Sequence, residues 1–232
     1  VYYAGVMGAD LLSAILAGNP FRPALIGEGP AAVQGRMDDL FANIPMLFAM
    51  HLVFMGATFA IIAKGVHDGI EKAALYLMPA FFVLLVGLAV YGAIVGDVSE
   101  SAAFLFTPDF SRLTPVAMNE ALGQALFSVG LGSAALMTYG AYISPGERLA
   151  PMAGMIAVAD TVVAIIAGLV IFPIVFAVGL DPAAGPTLVF QSLPVAFQQM
   201  PGGALIGFLF FVLIFFAALT SSISLLEAPT AW

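Results

Sequence analysis

The sequence contains no cysteine, so it has no disulfide frame, thiolate metal site or cysteine nucleophile. Charge is scarce as well: six basic and fourteen acidic residues make up 9% of the 232 positions, against about 25% in soluble domains. A water-exposed surface cannot be covered by so few charges. The six basic residues are scattered and the formal charge is −8, so no basic stripe exists for phosphate backbones and nucleic-acid binding is set aside. Also missing are a Gly-rich phosphate loop, a nucleophile elbow and a His/Glu zinc pattern, so the chain does not read as an enzyme. What is there is apolar: 62% of residues are hydrophobic and the mean hydropathy is +1.09. These features define an all-α, multi-pass integral membrane protein whose first partner is the lipid bilayer.

A helix needs about 20 apolar residues to cross a bilayer. The intervals between charges give helices over about 1–16, 42–63, 73–96, 121–143, 149–179 and 204–232. Closed barrels are excluded because the runs are far longer than roughly 9 to 11 residues and do not alternate. The chain opens inside one apolar run and closes inside another, so it reads as an internal piece of a longer polypeptide, and no signal peptide is recognisable. The short connections 64–72 and 144–148 carry Lys64, Lys72 and Arg148. The long ones, 17–41, 97–120 and 180–203, carry Arg22, Arg36 and Arg112 among more acids. The density of basic residues places the short loops in the cytoplasm. The stretch 180–203 is broken by Pro186, Pro194, Pro201 and Gly202-Gly203, which rules out a crossing. It is expected either to fold back as an extracellular lid or to lie as an ordinary surface loop.

Three features place polar chemistry at membrane depth. Asp160 lies about ten residues into the fifth crossing, where a carboxylate costs roughly 2.5 to 3.5 kcal/mol unless a cation or cavity meets it. It is a functional candidate, or else a helix-packing Asp bonded to a neighbouring hydroxyl. The run Phe127-Ser-Val-Gly-Leu-Gly-Ser-Ala134 puts two glycines and two serines in the middle of the fourth crossing. That suggests a helix broken at about 128–134, whose freed backbone lines a cavity; the small residues would also suit close helix packing. In the last crossing the Ala217 carbonyl and the Thr220 and Ser221 hydroxyls share one face. Such oxygens suit a hard cation, although Ser and Thr also bond back to their own helix. His51 receives no role, and Asp10 and Glu227 stand at unusual positions without one.

Together these residues resemble the neurotransmitter:sodium symporter family, in particular its bacterial, LeuT-type amino-acid transporters. Gln124-Ala-Leu-Phe-Ser-Val-Gly-Leu-Gly-Ser-Ala-Ala-Leu-Met-Thr-Tyr-Gly-Ala-Tyr142 is similar to the unwound sixth helix of that fold. Ala159-Asp-Thr161 with Ala-Gly-Leu-Val-Ile-Phe-Pro173 is similar to the seventh helix, Phe-Phe-Ala-Ala-Leu-Thr-Ser-Ser-Ile-Ser-Leu-Leu-Glu227 to the eighth, and Tyr2-Tyr3 to the third. The resemblance implies a partial LeuT fold running from the third helix to the eighth. It covers parts of two inverted repeats and lacks the first helix, which supplies the rest of both ion sites.

The function it implies is sodium-coupled uptake of an amino acid by alternating access, in the inner (plasma) membrane of a bacterium. Other LeuT-fold permeases, a channel and a structural membrane subunit are the alternatives. About two Na+ sites are implied: Ser128 with Asp160 in the first, and the Ala217 carbonyl, Thr220 and Ser221 in the second. Substrate contacts fall to Tyr3, Phe127, Ser128, Gly130, Ser133, Ser221 and Leu225, with the small Gly130 and Ser133 leaving room for a bulky apolar or aromatic side chain. Gln124 aligns with a chloride-site residue, but Ala164 stands where relatives carry Glu or Ser, and Asp160 brings its own negative charge. Chloride is therefore expected not to be required.

Overall fold

Where the chain can satisfy its first free amides, helices start. Asn43, Asp97 and Thr114 each place a side-chain oxygen 2.9 to 3.1 Å from the amide three residues on, and a proline follows directly after Gly29 and Thr114 and two residues after Asn43, where its missing amide costs nothing. The computed structural model describes residues 1–144, 146–183, 185 and 187–231, without the side chain of Arg112. Pro186 and Trp232, which the sequence reading uses as a breaker and as the end of a crossing, lie outside the described residues.

Ten α-helices follow in order among the described residues: α1 Tyr2–Leu16, α2 Pro30–Ala42, α3 Ile44–Ile62, α4 Lys72–Val95, α5 Val98–Phe106, α6 Pro115–Ser128, α7 Ala135–Ala141, α8 Leu149–Ala177, α9 Leu193–Gln199 and α10 Gly203–Thr230. Wider helical turns at Val66–Glu71 and Leu188–Ser192 lead into α4 and α9. Among the described residues, four stretches are long and apolar enough to cross a bilayer: α3, Val66–Val95, α8 and α10. α1 is apolar but only 15 residues long, and the α6/α7 pair is interrupted.

Three stretches expected as connections between crossings hold helices of their own. α2 starts within 17–41 and ends one residue beyond it, α5 lies within 97–120 and α9 within 180–203, and α6 starts at Pro115 rather than near residue 121. These segments are too short or too polar to look like crossings, yet caps and prolines fix their ends.

Packing is centred on α10, which lies against α1, α3, α4 and α9, while α8 packs on α4 and α5. In lipid, van der Waals contact and interhelical hydrogen bonds join helices, because lipid tails are as apolar as leucine. Tyr3 of α1 stacks on Phe211 of α10 at 5.0 Å between ring centroids and tilts against Phe190 at 5.4 Å. The Asp97 amide donates to the Pro173 carbonyl at 2.9 Å, joining the α4 end to α8.

One end of the bundle is closed by the loop before α2 and the segment around α9. The Ala24 amide donates to the Phe197 carbonyl, the Gly202 amide to Phe21 and the Ala204 amide to Arg22, at 2.8 to 3.2 Å. The Tyr91 hydroxyl donates to the Pro201 carbonyl at 2.6 Å. α9 is buried throughout its first five residues, and Phe197 is 1% exposed.

Gly203 marks the closest approach in this cap. A Cβ there would overlap the Phe197 carbonyl and sit 3.0 Å from the Ala24 amide, so it would force apart the bond those two groups make. Gly203→Ala is expected to cost about 1 to 3 kcal/mol. The full-length protein in detergent should show a lower unfolding midpoint; an unchanged one would mean the cap yields freely. Gly207→Ala, which meets the flexible Met7 sulfur at 3.1 Å, should cost less.

Candidate functional site

α6 ends at Ser128 because Gly130 (φ +71°) and Gly132 (φ +89°) take left-handed backbone, a conformation open to glycine at little cost, and Ala134 follows at φ +62°. The chain re-enters a helix only at Ala135. The Phe127 carbonyl accepts from Gly130 at 3.0 Å, while among the described residues no main-chain donor reaches the carbonyls of Ser128 and Val129. The helix is therefore broken at 129–134 and leaves backbone oxygens exposed.

The break walls a cavity of about 570 Å³ between α6, α7 and α10, with Met78 of α4 at its rim. Volumes of roughly 300 to 1,000 Å³ are usual for small-molecule sites. Phe127, Ser128, Gly130 and Ser133 line it from the break, and Thr220, Ser221 and Leu225 from α10. The structure thus collects six of the seven residues assigned to substrate. Tyr3 is the exception: it does not line this cavity and lies in the aromatic stack with Phe190 and Phe211. Its hydroxyl is the one buried side-chain polar atom without a hydrogen-bond partner among the described residues, a state that costs about 1 to 3 kcal/mol.

Ser128 and Asp160 meet although 32 residues separate them. The Ser128 hydroxyl donates to Asp160 Oδ2 at 2.9 Å, so a carboxylate in the first half of α8 lies beside the helix break. On α10 the Thr220 hydroxyl donates to the Ala217 carbonyl at 2.9 Å and the Ser224 hydroxyl to the Thr220 carbonyl at 3.2 Å. Ser221 lines the cavity without a hydrogen-bond partner among the described residues. Ala217 itself faces a second, wholly apolar cavity of about 400 Å³ between α4, α8 and α10. Both groups offer oxygen only, the donor type of hard cations. Among the described residues no cluster of three or more His, Asp or Glu could hold another kind of metal.

Several residues near these groups escape a reading of the sequence. Tyr139 of α7 lines the cavity and donates to Ser224 at 3.4 Å. The Tyr142 hydroxyl donates to Glu227 at 2.6 Å, and Glu227 is 5% exposed. Asp10 pairs with Arg22 at 2.6 Å. Their unusual positions as acids in apolar helices were the only signal, and the sequence does not say which partner each meets. His51 is exposed on α3.

The sequence profile of the sodium:neurotransmitter symporter family matches residues 37–231. A protein of Haemophilus influenzae named as an uncharacterized sodium-dependent transporter is 39% identical over 176 residues, covering 76% of this chain and 38% of the relative. One of Bacillus subtilis with a similar name is 38% identical over 202 residues, covering 85% and 45%. The chain therefore spans less than half the length of these curated relatives. Among solved structures, the crystal structure of MhsT in complex with L-phenylalanine is similar at 41% identity and a TM-score of 0.77, over 98% of this chain and 51% of that one.

Proposed function

Because the chain belongs to the sodium:neurotransmitter symporter family, whose members are transporters, we propose that the protein it forms part of carries an amino acid into the cell by sodium-coupled symport. The observation that carries this reading is the Ser128–Asp160 hydrogen bond at 2.9 Å, which sets a carboxylate beside the cavity at the helix break. A bound Na+ would supply the positive charge that offsets this carboxylate. Ser128 and Asp160 hold it in one site, and the Ala217 carbonyl, Thr220 and Ser221 contribute to the other; the all-oxygen donor sets fit the ion. Further donors come from parts of the longer protein.

The substrate reading follows from the cavity. Gly130 and Ser133 present little bulk, and Phe127 and Leu225 supply apolar walls. This favours a large apolar or aromatic side chain, in line with the L-phenylalanine bound to MhsT. The unpaired Tyr3 hydroxyl supports a donor to the substrate carboxylate, reached when the rest of the protein completes the cavity. The cap formed by 19–28 and 193–204 lies at the end away from Lys64, Lys72 and Arg148, so it faces outward across the plasma membrane of a bacterium. Alternating access then moves a bundle relative to this scaffold.

The test uses the full-length protein in liposomes with an inward sodium gradient and radiolabelled amino acids. Uptake of phenylalanine, tyrosine, tryptophan or leucine is expected to need sodium and to persist when chloride is replaced by gluconate. Thr220→Ala is expected to raise the half-saturating sodium concentration at least about tenfold, as removal of one oxygen ligand should. Sodium-independent uptake would overturn the symport reading, a zero rate without chloride would overturn the chloride reading, and competition by alanine or glycine alone would overturn the substrate class.

A further inference from the structure

α3 is apolar along most of its length, yet Thr58 in it is fully buried at 0% exposure. The Thr58 hydroxyl donates to the Phe54 carbonyl at 3.1 Å and lies 3.1 Å from the Ser222 hydroxyl of α10. A hydroxyl has one proton to give. With the Thr58 proton on Phe54, the Ser222 proton goes to Thr58 Oγ1, and the pair becomes a directed bond from α10 to α3.

This sets Ser222 apart from its neighbours, because the hydroxyls of Thr220 and Ser224 both turn back onto their own helix. Ser221, the next residue, lines both the 570 Å³ cavity and the groove between α3 and α10 that Phe54, Met55 and Ser222 border. The rotation of α10 about its axis therefore decides where Ser221 and Thr220 aim their oxygens. On the α3 side that rotation is held, among the described residues, by one polar side-chain bond, amid the small apolar core of Ile62, Leu219 and Ile223.

We propose that Thr58 is a positioning residue for the Ala217, Thr220 and Ser221 oxygens, acting through Ser222 to fix the rotation of α10; this rests on the sodium reading above. The required tolerance is small. A turn of about 10° moves an atom on the Cα radius by about 0.4 Å and a side-chain oxygen by more, beyond the roughly 0.2 Å over which ion–ligand distances hold. Without Thr58, the Ser222 hydroxyl falls back on the carbonyl one turn earlier, a bond that bends helices.

The test compares full-length wild type with Thr58→Val, which keeps the shape and removes the hydroxyl, Thr58→Ser, Ser222→Ala and the Thr58→Val/Ser222→Ala double variant. Two sodium titrations are read: the rise in unfolding midpoint of detergent-solubilised protein without substrate, and uptake rate in liposomes. Thr58→Val is expected to shift the half-effective sodium concentration upward about fivefold in both, the equilibrium worth of one net hydrogen bond, with the maximal rate within about twofold. Thr58→Ser should restore the wild-type value. Ser222→Ala should match Thr58→Val, with the double variant no worse, and it still reports on the bond if Thr58→Val fails to fold. Sodium midpoints unchanged in Thr58→Val and Ser222→Ala, even with lowered stability in the absence of sodium, would overturn the proposal while leaving sodium coupling intact. A wild type that responds to sodium in neither titration would overturn both.

Discussion

Asp160→Ala in the full-length protein is expected to abolish sodium-driven uptake, with sodium affinity falling by about two orders of magnitude or more, the scale of losing one member of an opposite-charge pair that the whole protein closes off from water. The carboxylate lies in the first half of α8, a helix of 29 residues whose flanking positions Met155, Ile156 and Val162 are apolar. At that depth a charge persists only where a cation or cavity meets it, and the Ser128 hydroxyl at 2.9 Å accounts for one of its oxygens. Asp160 is exposed on α8 and its one hydrogen bond is to Ser128, so the fold should survive its loss; what is lost is the negative charge offered to the ion. Asp160→Asn separates the two roles, because its amide oxygen still accepts from Ser128 while the charge is gone. Both variants should insert and purify normally and fail in uptake. Wild-type uptake by Asp160→Ala would show that the carboxylate only packs α8 against the break.

The second large effect is structural. Asp10→Ala is expected to lower stability by about 3 to 5 kcal/mol, the usual cost of leaving a buried charge without its partner. Asp10 Oδ1 accepts from Arg22 at 2.6 Å and Oδ2 from the Leu25 amide at 2.9 Å, while Arg22 also donates to the Ser13 hydroxyl at 2.7 Å. The two charged side chains are only 15% and 9% exposed, which removes the screening that reduces surface pairs to about 0 to 1 kcal/mol. Leu25 is held at φ +48°, a strained conformation for a branched side chain, and loses its anchor in the same variant. Since Ala24 and Arg22 bond directly to Phe197 and Ala204, loss of Asp10 should loosen the cap as a unit. Unfolding midpoints in detergent and hydrogen exchange at 21–28 and 196–204 would show it. An Asp10→Ala/Arg22→Ala double variant should recover part of the loss, as the unpaired charge is gone. A loss below about 1 kcal/mol would show that water screens the pair.

Much of this was legible in the residues. Charge scarcity and run length define a helical membrane protein, since a bilayer admits no other use for uninterrupted apolar stretches of this length. The glycines at 130 and 132 mark the break because backbone freedom is a local property, and it appears where the composition places it, at 129–134. The Ser128, Asp160 and Thr220–Ser221 groups stood out because polar atoms in lipid need a reason.

Other features were not legible. α2 and α5 are too short and too polar for a hydropathy reading to separate them from loops. The stretch around α9 reads as a lid folded back or as an ordinary surface loop, and the sequence does not choose between them; the structure makes Phe197 and Leu193 two of its most buried side chains. Their burial depends on a loop some 170 residues earlier. Asp10 could not be assigned because its charge partner follows a turn of the chain, and Glu227 because Tyr142 is 85 residues away. Tyr3 carries a resemblance to substrate residues, but only the fold shows its ring stacked away from the cavity with an unpaired hydroxyl.

The sequence by itself determined the solvent this protein lives in, where its long apolar helices run and where one of them breaks, and which polar atoms sit at membrane depth, because each is a matter of local composition against the cost of lipid. Only the tertiary structure decided which of those atoms meet. Ser128 with Asp160, Thr58 with Ser222 and Asp10 with Arg22 are pairings set by helix contacts and loop closures, and no local preference encodes the distance between residues that packing brings together.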